Sequence, residues 1–559
     1  MALFKGPVRA TGFADDGALL IKGCDPSSMV DLMQSALKEA VNWGTQNGLH
    51  LNPVKTVAMF FHRKNKWTMP KKLEMSGTPL EYSSTTKYLG VHLDTRLNWT
   101  FHIEKKITNV KRHILMIRNA IGTMWGPSPR ALKWAFNGII IPSLTYGCIV
   151  WYRACAKISI KEKLVKLNRL MSSCMLPFRK STPTAGLEVV LDLPPLDLRV
   201  EEVALKAILR VKPQSQSKWS GLGQHGTGHL LWGTKRLTKL GIDPLQTDLV
   251  SSLNVTRDYK VDLDSLKSGL PISESSTICY TDGSRFDEKT GFGLGITRGD
   301  YLLASENGKL PDQASVFQAE VCAISRACEI LQENGTKHVT IFSDSQSAIL
   351  AIAGIKIKSK VVQRCIENLN HLGSTSKVEL KWVKAHNNIA GNEFADQQAK
   401  LGTTNNNNRV IIASPISLAR KKITLAMINA WNQRWMSSKE CGQTKEWFPQ
   451  TNKNKSSSLL KLSRPELGHM VQLITGHNRL KKHEAKITHG DPTCRLCGEV
   501  DESSWHVICE CPALWRSRRE TFGSDVMDKN PDWKPNQLIT FARQAKLYEL
   551  NAGLVLEPA

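Results

Sequence analysis

Residues 277–286 read TICYTDGSRF, and their pattern decides what the middle of the chain builds. Ile278, Tyr280 and Asp282 alternate onto one face, which predicts a strand ending in a carboxylate with an apolar face behind it. Outward from there, SVFQAEVCAISRACEIL (315–331) predicts a helix. Its apolar stripe of Val316 or Phe317, Ile324, Ala327 and Leu331 also contains Glu320, so an acid falls on the buried face. Next, HVTIFSDSQSAILAI (338–352) predicts a short apolar strand ending at Asp344 and a helix that Ser345 caps. Finally KVELKWVKAHNNIAGNEFADQQAK (377–400) predicts a strand, a loop with His386 and Gly391, and a helix carrying Asp396.

Gathering Asp282, Glu320, Asp344 and Asp396 in one pocket raises their pKa values by mutual repulsion unless cations neutralise them. Hard oxygen ligands of this kind suit Mg²⁺ or Mn²⁺. Two such ions activate a water and stabilise the leaving oxygen of an in-line attack at phosphorus. His386, ten residues before Asp396, is placed to shuttle a proton or assist product release. The expected reaction is phosphodiester hydrolysis. Taken singly, each acid is more simply a cap or turn former and the histidine a solvated side chain; the expectation rests on the set.

In order and spacing, YTDGS, QAEVCAI, SDSQSAI and KAHNNIAGNEFAD resemble the four blocks of type 1 ribonuclease H domains. The resemblance implies a five-stranded mixed sheet with flanking helices that cuts the RNA strand of RNA–DNA hybrids with divalent metal. It implies metal ligation by the four acids, a turnover role for His386, and nucleic-acid contacts at Ser284 and Gln346. Many cellular members carry Asn just before the helical Glu, where this chain has Val316 and Phe317.

Composition is globular, with 41% hydrophobic and 22% charged residues, yet the formal net charge is +25. Residues 277–400 hold 14 Lys plus Arg against 14 Asp plus Glu, so the excess lies in the flanks. Basic flanks imply a polyanionic partner gripped at its phosphates. The 13 cysteines are scattered apart from one cluster, which argues against a secreted disulfide framework and for a reducing, intracellular setting, nucleus or cytoplasm. No secretory pattern opens the sequence, and its most apolar stretch, FNGIIIPSLTYGCIVW (136–151), is too short and interrupted to span a membrane.

Near the start, TGFADDGALLIKG (11–23) predicts a hairpin whose turn presents Asp15 and Asp16. With the following DLMQSALKEAVNWGTQNG, LHLNPVKTVAMFF and TTKYLGVHLD, it resembles the later palm and first thumb segments of reverse transcriptases from non-LTR retrotransposons. By that resemblance Asp15 and Asp16 match the polymerase acid pair and Lys55 a lysine that protonates pyrophosphate. A third carboxylate from another strand is needed, and only fourteen residues precede Asp15, so no polymerase activity is expected.

Residues 101–212 read as a helical thumb and connection; IEKKITNVKRHILMIRNAIG (103–122) has one apolar and one basic face, and Pro127 and Pro129 mark a break. The basic face is more simply a solvated one. PSLTYGCIVWY and LEVVLDLPPLDLRVEEVALKAI resemble the region after the thumb in the same retrotransposon proteins. Residues 213–276 read as a linker region, and TTNNNNR after Leu401 marks the other end of the central domain. In the basic helical region 409–490, Trp431, Trp435 and Trp447 suit either a core or stacking on single-stranded bases.

CRLCGEVDESSWHVICECPAL (494–514) contains Cys494, Cys497 and His506 at spacings suited to tetrahedral Zn²⁺, with Cys511 or Cys509 as fourth ligand. The spacing to Cys511 resembles a Cys-Cys-His-Cys segment near the end of Jockey- and I-type retrotransposon proteins, which favours Cys511.

The expected architecture is thus multidomain, mixing α+β and α/β parts. A truncated reverse transcriptase palm remnant (1–100) and the thumb and connection are followed by the linker, a ribonuclease H-like domain (277–402), the basic helical region, a zinc-binding segment (491–520) and a tail (521–559). The expected function is endonucleolytic hydrolysis of RNA in hybrids, with element RNA and target DNA as partners. The competing expectations are a non-catalytic nucleic-acid-binding remnant and, further off, a polymerase that needs another N-terminal segment.

Overall fold

The computed structural model describes residues 7–62, 70–122, 125–211, 228–250, 253–263, 276–385, 389–527 and 534–552. It divides into two compact units, Glu202–Asn429 and a second composed of Met1–Glu201 with Ala430–Ala559. Among the described residues no helix is long and apolar enough to cross a membrane.

The Glu202–Asn429 unit is built on a mixed sheet of β1 (Lys260–Asp262), β2 (Thr277–Phe286), β3 (Lys289–Arg298), β4 (Tyr301–Leu310), β5 (His338–Ser343) and β6 (Lys377–Trp382). Their spatial order is β4-β3-β2-β5-β6-β1. The first three in that order form an antiparallel meander, and β5, β6 and β1 run parallel to β2. Helices α1 (Val316–Glu333), α2 (Gln346–Ala353) and α3 (Lys360–Gly373) share one core with Cys279, Phe292, Leu294, Ile296, Ile341 and Leu380 of the sheet. The opposite face is covered by α4 (Ala390–Gly402), where Ala395 joins Ile278, Tyr280, Phe342 and Val383. Gly291 and Gly293 of β3 make that approach close, because a Cβ there would lie 2.3 Å from Thr403 N and 2.1 Å from Ala399 N.

The sheet corrects two expectations. It has six strands, not five, and the sixth comes from the stretch read as linker: Val261 of β1 pairs with Leu380. Buried Tyr259 and half-buried Val261 and Leu263 join the core, so pairing and apolar burial together hold a strand too short to show alternation. A helix, Gly228–Lys239, lies in the same stretch. So does buried Asp248, which accepts from Ser359 Oγ at 2.9 Å, Gln318 Nε2 at 3.0 Å and Val361 N at 3.2 Å, tying the starts of α1 and α3 together. Second, β2 does not end at Asp282 but continues to Phe286, because β3 pairs along its whole length. Beyond Gly402 the Asn tract folds back on β4: Asn405 Nδ2 donates to Asn307 Oδ1 (2.8 Å) and Asn408 Nδ2 to Glu306 Oε1 (3.0 Å).

In the other unit, strands Val8–Phe13 and Asp16–Ile21 form the expected hairpin, with Ala14 at φ 53° in its turn. Helix Pro26–Gln46, capped by Asp25, packs Val30 and Leu37 with Leu73, Met75 and Leu80. Helix Thr100–Asn119 buries Ile103, Val110 and Ile114 while Lys105, Lys111, Arg112 and Arg118 remain exposed, a solvated basic face as read. Pro129 opens the next helix behind a Ser128 cap. Trp431, Trp435 and Trp447 are all buried, and Trp435 Nε1 donates to Phe448 O (2.8 Å), so these rings are core and do not offer stacking platforms.

Candidate active site

Strand register brings the first two acids together. β5 pairs with β2 only as far as Ser343 opposite Thr281, so Asp282 and Asp344 are the next residue of each strand, past the shared end of the pairing. Behind Asp344 the chain enters α2, with Ser345 Oγ accepting from Ala348 N (3.4 Å) as the expected cap. Glu320 arrives from α1, whose start is fixed by a capping box between Ser315 and Gln318. The helix comes so near β2 at Gly283 that a Cβ there would sit 2.5 Å from Glu320 N. The absent side chain is what lets the helical acid reach the strand acid. One carboxylate oxygen each from Asp282, Glu320 and Asp344 lie within 4.8 Å of one another.

Asp282 and Glu320 are 7% and 5% exposed, and burial is the largest influence on both. Burial, then the charges of Asp344 and Asp396, push Asp282 up to about 7. Burial, then Asp282 and Asp344, push Glu320 up to about 10. Glu320 Oε2 is buried with no hydrogen-bond partner. A buried acceptor in this state, facing two further acids, is a donor set that fits a cation.

The fourth acid stands apart from this trio. Asp396 is near enough to influence Asp282, but its Oδ2 is held by Lys400 Nζ at 2.6 Å. Sequence reading missed Lys400, and it missed Asn392, a buried residue whose Nδ2 donates to Asp344 Oδ2 at 3.4 Å. The one signal they carry is their spacing, since 392, 396 and 400 repeat every fourth residue on one helix face. Trp382 Nε1 donates to Asp344 O (3.0 Å) and fixes the backbone there. Ser284 is half-buried on β2, two residues beyond Asp282, and Gln346 is exposed at the first turn of α2. His386 lies outside the described residues.

Asp15 and Asp16 are exposed at the hairpin turn, and Lys55 is exposed in a turn where its backbone N donates to Asn52 Oδ1 (3.3 Å). Among the described residues no third acid joins that pair in a group able to hold a metal.

The cysteine cluster does assemble. One ligand atom each from Cys494, Cys497, His506 and Cys511 lie within 4.8 Å of one another, with Cys494 Sγ 4.0 Å from Cys511 Sγ and Cys497 Sγ 3.3 Å from His506 Nε2. Cys509, the alternative fourth ligand, is outside this group and fully buried, which pushes its thiol up to about 12.

With that geometry in view, the comparisons give the class: residues 274–404 match the RNase H family model, so this part of the chain is an RNase H domain. Part of the chain is similar to proteins of type-1 retrotransposable elements R1. It is 25% identical over 210 residues to a putative 115 kDa protein in type-1 retrotransposable element R1DM of Drosophila melanogaster, covering 37% of this chain and 20% of that protein. A Pol polyprotein from type-1 element R1 of Nasonia vitripennis is 24% identical over 195 residues, 34% of this chain and 58% of that one. A probable RNA-directed DNA polymerase from Drosophila melanogaster transposon BS is 27% identical over 159 residues, 28% of this chain and 17% of that one. The chain thus spans about a fifth of the first relative's length. Among solved structures, the N-terminal RNase H domain of a Mycobacterium tuberculosis protein, fused to maltose-binding protein, aligns at 18% identity with a TM-score of 0.21, over 23% of this chain and 98% of that one. RNase H1 of Halobacterium salinarum aligns at 21% identity and a TM-score of 0.20, over 23% and 96%.

Proposed function

We propose that this chain hydrolyses the RNA strand of RNA–DNA hybrids as a type 1 ribonuclease H within a retrotransposon-derived protein. The observation that carries the reading is the trio of Asp282, Glu320 and Asp344, with an unsatisfied buried oxygen on Glu320, inside the segment that matches the RNase H family. The donor set fits Mg²⁺ or Mn²⁺: all the ligands are hard oxygens, and the acids repel one another without a cation. A pair of such ions, when bound, supplies charge neutralisation and an activated water for attack at phosphorus. The residues themselves do the rest. The three acids hold the ions, with Asp396 as the fourth ligand once Lys400 releases it. Asn392 and Trp382 orient Asp344. His386 carries the turnover role its motif implies, by proton shuttling or product release, and Ser284 and Gln346 flank the acids as nucleic-acid contacts.

We assign Cys494, Cys497, His506 and Cys511 to a structural Zn²⁺. The fit rests on three sulfurs and one imidazole nitrogen in a single tetrad, and on the exclusion of Cys509 from it. The flanks, which hold the whole positive excess, bind element RNA and target DNA through their phosphates in the nucleus or cytoplasm. DNA synthesis is not assigned to the exposed Asp15 and Asp16. Incubating the protein with end-labelled hybrid, duplex DNA and duplex RNA, with and without Mg²⁺, tests the main reading. Metal-dependent cleavage of the hybrid's RNA strand supports it, and binding without cleavage leaves the non-catalytic alternative.

A further inference from the structure

Arg518 lies on the helix Trp515–Phe522, directly after the cysteine tetrad, and is 1% exposed. It is among the largest fully buried side chains of the chain. Its Nε donates to Asp525 O at 2.5 Å and its Nη2 to Cys511 O, which ties the guanidinium to the backbone of a tetrad residue. Its third nitrogen, Nη1, is buried with no hydrogen-bond partner. Among the described residues no carboxylate forms an ion pair with it; Asp525 reaches Arg519 instead, at 3.8 Å.

A buried guanidinium that meets only carbonyl dipoles is strongly unfavourable unless an opposite charge lies nearby. The ionisable groups whose charge acts on it are Cys511, Cys509, Asp525 and Glu510. Of these, Asp525 and Glu510 are exposed, Cys509 is outside the tetrad, and Cys511 belongs to it. Metal binding requires deprotonated cysteines, and three thiolates with one neutral imidazole around a dication leave one net negative charge. Three of the four ligand residues, Cys494, His506 and Cys511, are buried like the arginine, and Cys497 is half-buried.

We infer that Arg518 is the counter-charge of the metal-loaded Cys494–Cys497–His506–Cys511 tetrad, a positioning residue that couples zinc affinity to the fold of the segment following it. The inference rests on the zinc assignment above. A purely structural role, holding the Cys511 and Asp525 carbonyls together, needs hydrogen bonds but no net charge, and this difference separates the two.

The test measures zinc affinity of the full-length, zinc-loaded protein by competition with a chromophoric chelator, for wild type, Arg518→Met and Arg518→Lys. Outer partners of metal ligands set affinity by about 10–100-fold, so Arg518→Met is expected to lose zinc in that range. Arg518→Lys keeps the charge, and its affinity is expected to stay within about threefold of wild type, a small part of that range. Wild-type affinity in Arg518→Met overturns the inference, as does an equal loss in both variants. If Arg518→Met does not fold, Arg518→Lys decides alone: retained affinity supports the inference, and a loss of about tenfold or more ends it. Wild-type protein with no bound zinc instead removes the zinc assignment itself, and this inference with it.

Discussion

Thr281 and Ser343 are the last register partners of the parallel pair β2 and β5, and the next residue of each is an aspartate. One pairing boundary thereby sets the spacing of Asp282 and Asp344, with no loop intervening. Changing Asp344 to Asn keeps the shape and removes a ligand charge. We expect Mg²⁺-dependent hybrid cleavage to fall by about 100-fold or more, measured with excess metal on a labelled hybrid. Cleavage at the wild-type rate would exclude the acid trio as the site.

Burial of Asp282 and Glu320 beside further acids predicts a pH dependence for protein kept in chelator. Asp282 and Glu320 have folded values raised to about 7 and about 10, so the folded state retains protons that the unfolded chain has released. The stability tied to those protons is full below the unfolded carboxylate range and is lost as pH rises through the folded values. Each group contributes a fall of about 1.4 kcal/mol per pH unit between its unfolded and folded values. Urea unfolding at a series of pH values should show the decline. Asp282→Asn should flatten it most between about pH 4 and 7, the span over which Asp282 differs between the two states.

Lys400 holds Asp396 in an ion pair, which on the proposed reading a metal must displace. Its ion pair joins an exposed lysine to a half-buried aspartate, so removing it costs at most about 1 kcal/mol of stability. Lys400→Met should lower the Mg²⁺ concentration for half-maximal cleavage by a few-fold. An unchanged metal titration would mean that Asp396 takes no part in holding the metal.

Gly283→Ala places a methyl group against the backbone of α1 at Glu320. Helix and strand must then separate, at a cost of about 1–3 kcal/mol. Because Glu320 rides on that helix, cleavage should fall further than the stability loss explains. Urea unfolding and cleavage assays on the same sample check both halves.

Cys511→Ser should strip bound zinc, while Cys509→Ser should retain one ion per chain, read by elemental analysis after dialysis. Retention by Cys511→Ser with loss by Cys509→Ser would exchange the two assignments.

Much of this could be read from the residues. Three acids with strong local patterns, Asp282 on an alternating strand, Glu320 on a helical stripe and Asp344 before a Ser cap, lie on the elements those patterns implied, and the structure gathers them into one group. Spacing also gave Cys494, Cys497 and His506, while the choice of Cys511 over Cys509 came from the retrotransposon resemblance; the four assemble as one tetrad. Most of what escaped depends on contacts distant in sequence. β1 is three residues long and owes its place to the open edge of β6. Asp248 looks like any loop aspartate until the starts of α1 and α3 are brought to it. Lys400 shows four-residue spacing from Asp396, yet that spacing is too common on helices to announce an ion pair at a metal site.

The segments outside the four motif blocks have a practical bearing on how the nuclease should be excised. A fragment cut at Thr277 and Gly402 would discard Asp248, β1, Asn405 and Asn408 together. That leaves α3 without the carboxylate at its first turn and the rim of β6 bare, an invitation to self-association through intermolecular strand pairing. Boundaries that keep residues 243–414 would carry the whole sheet and its seals, so that failure of the shorter piece to stay in solution would say nothing against its chemistry.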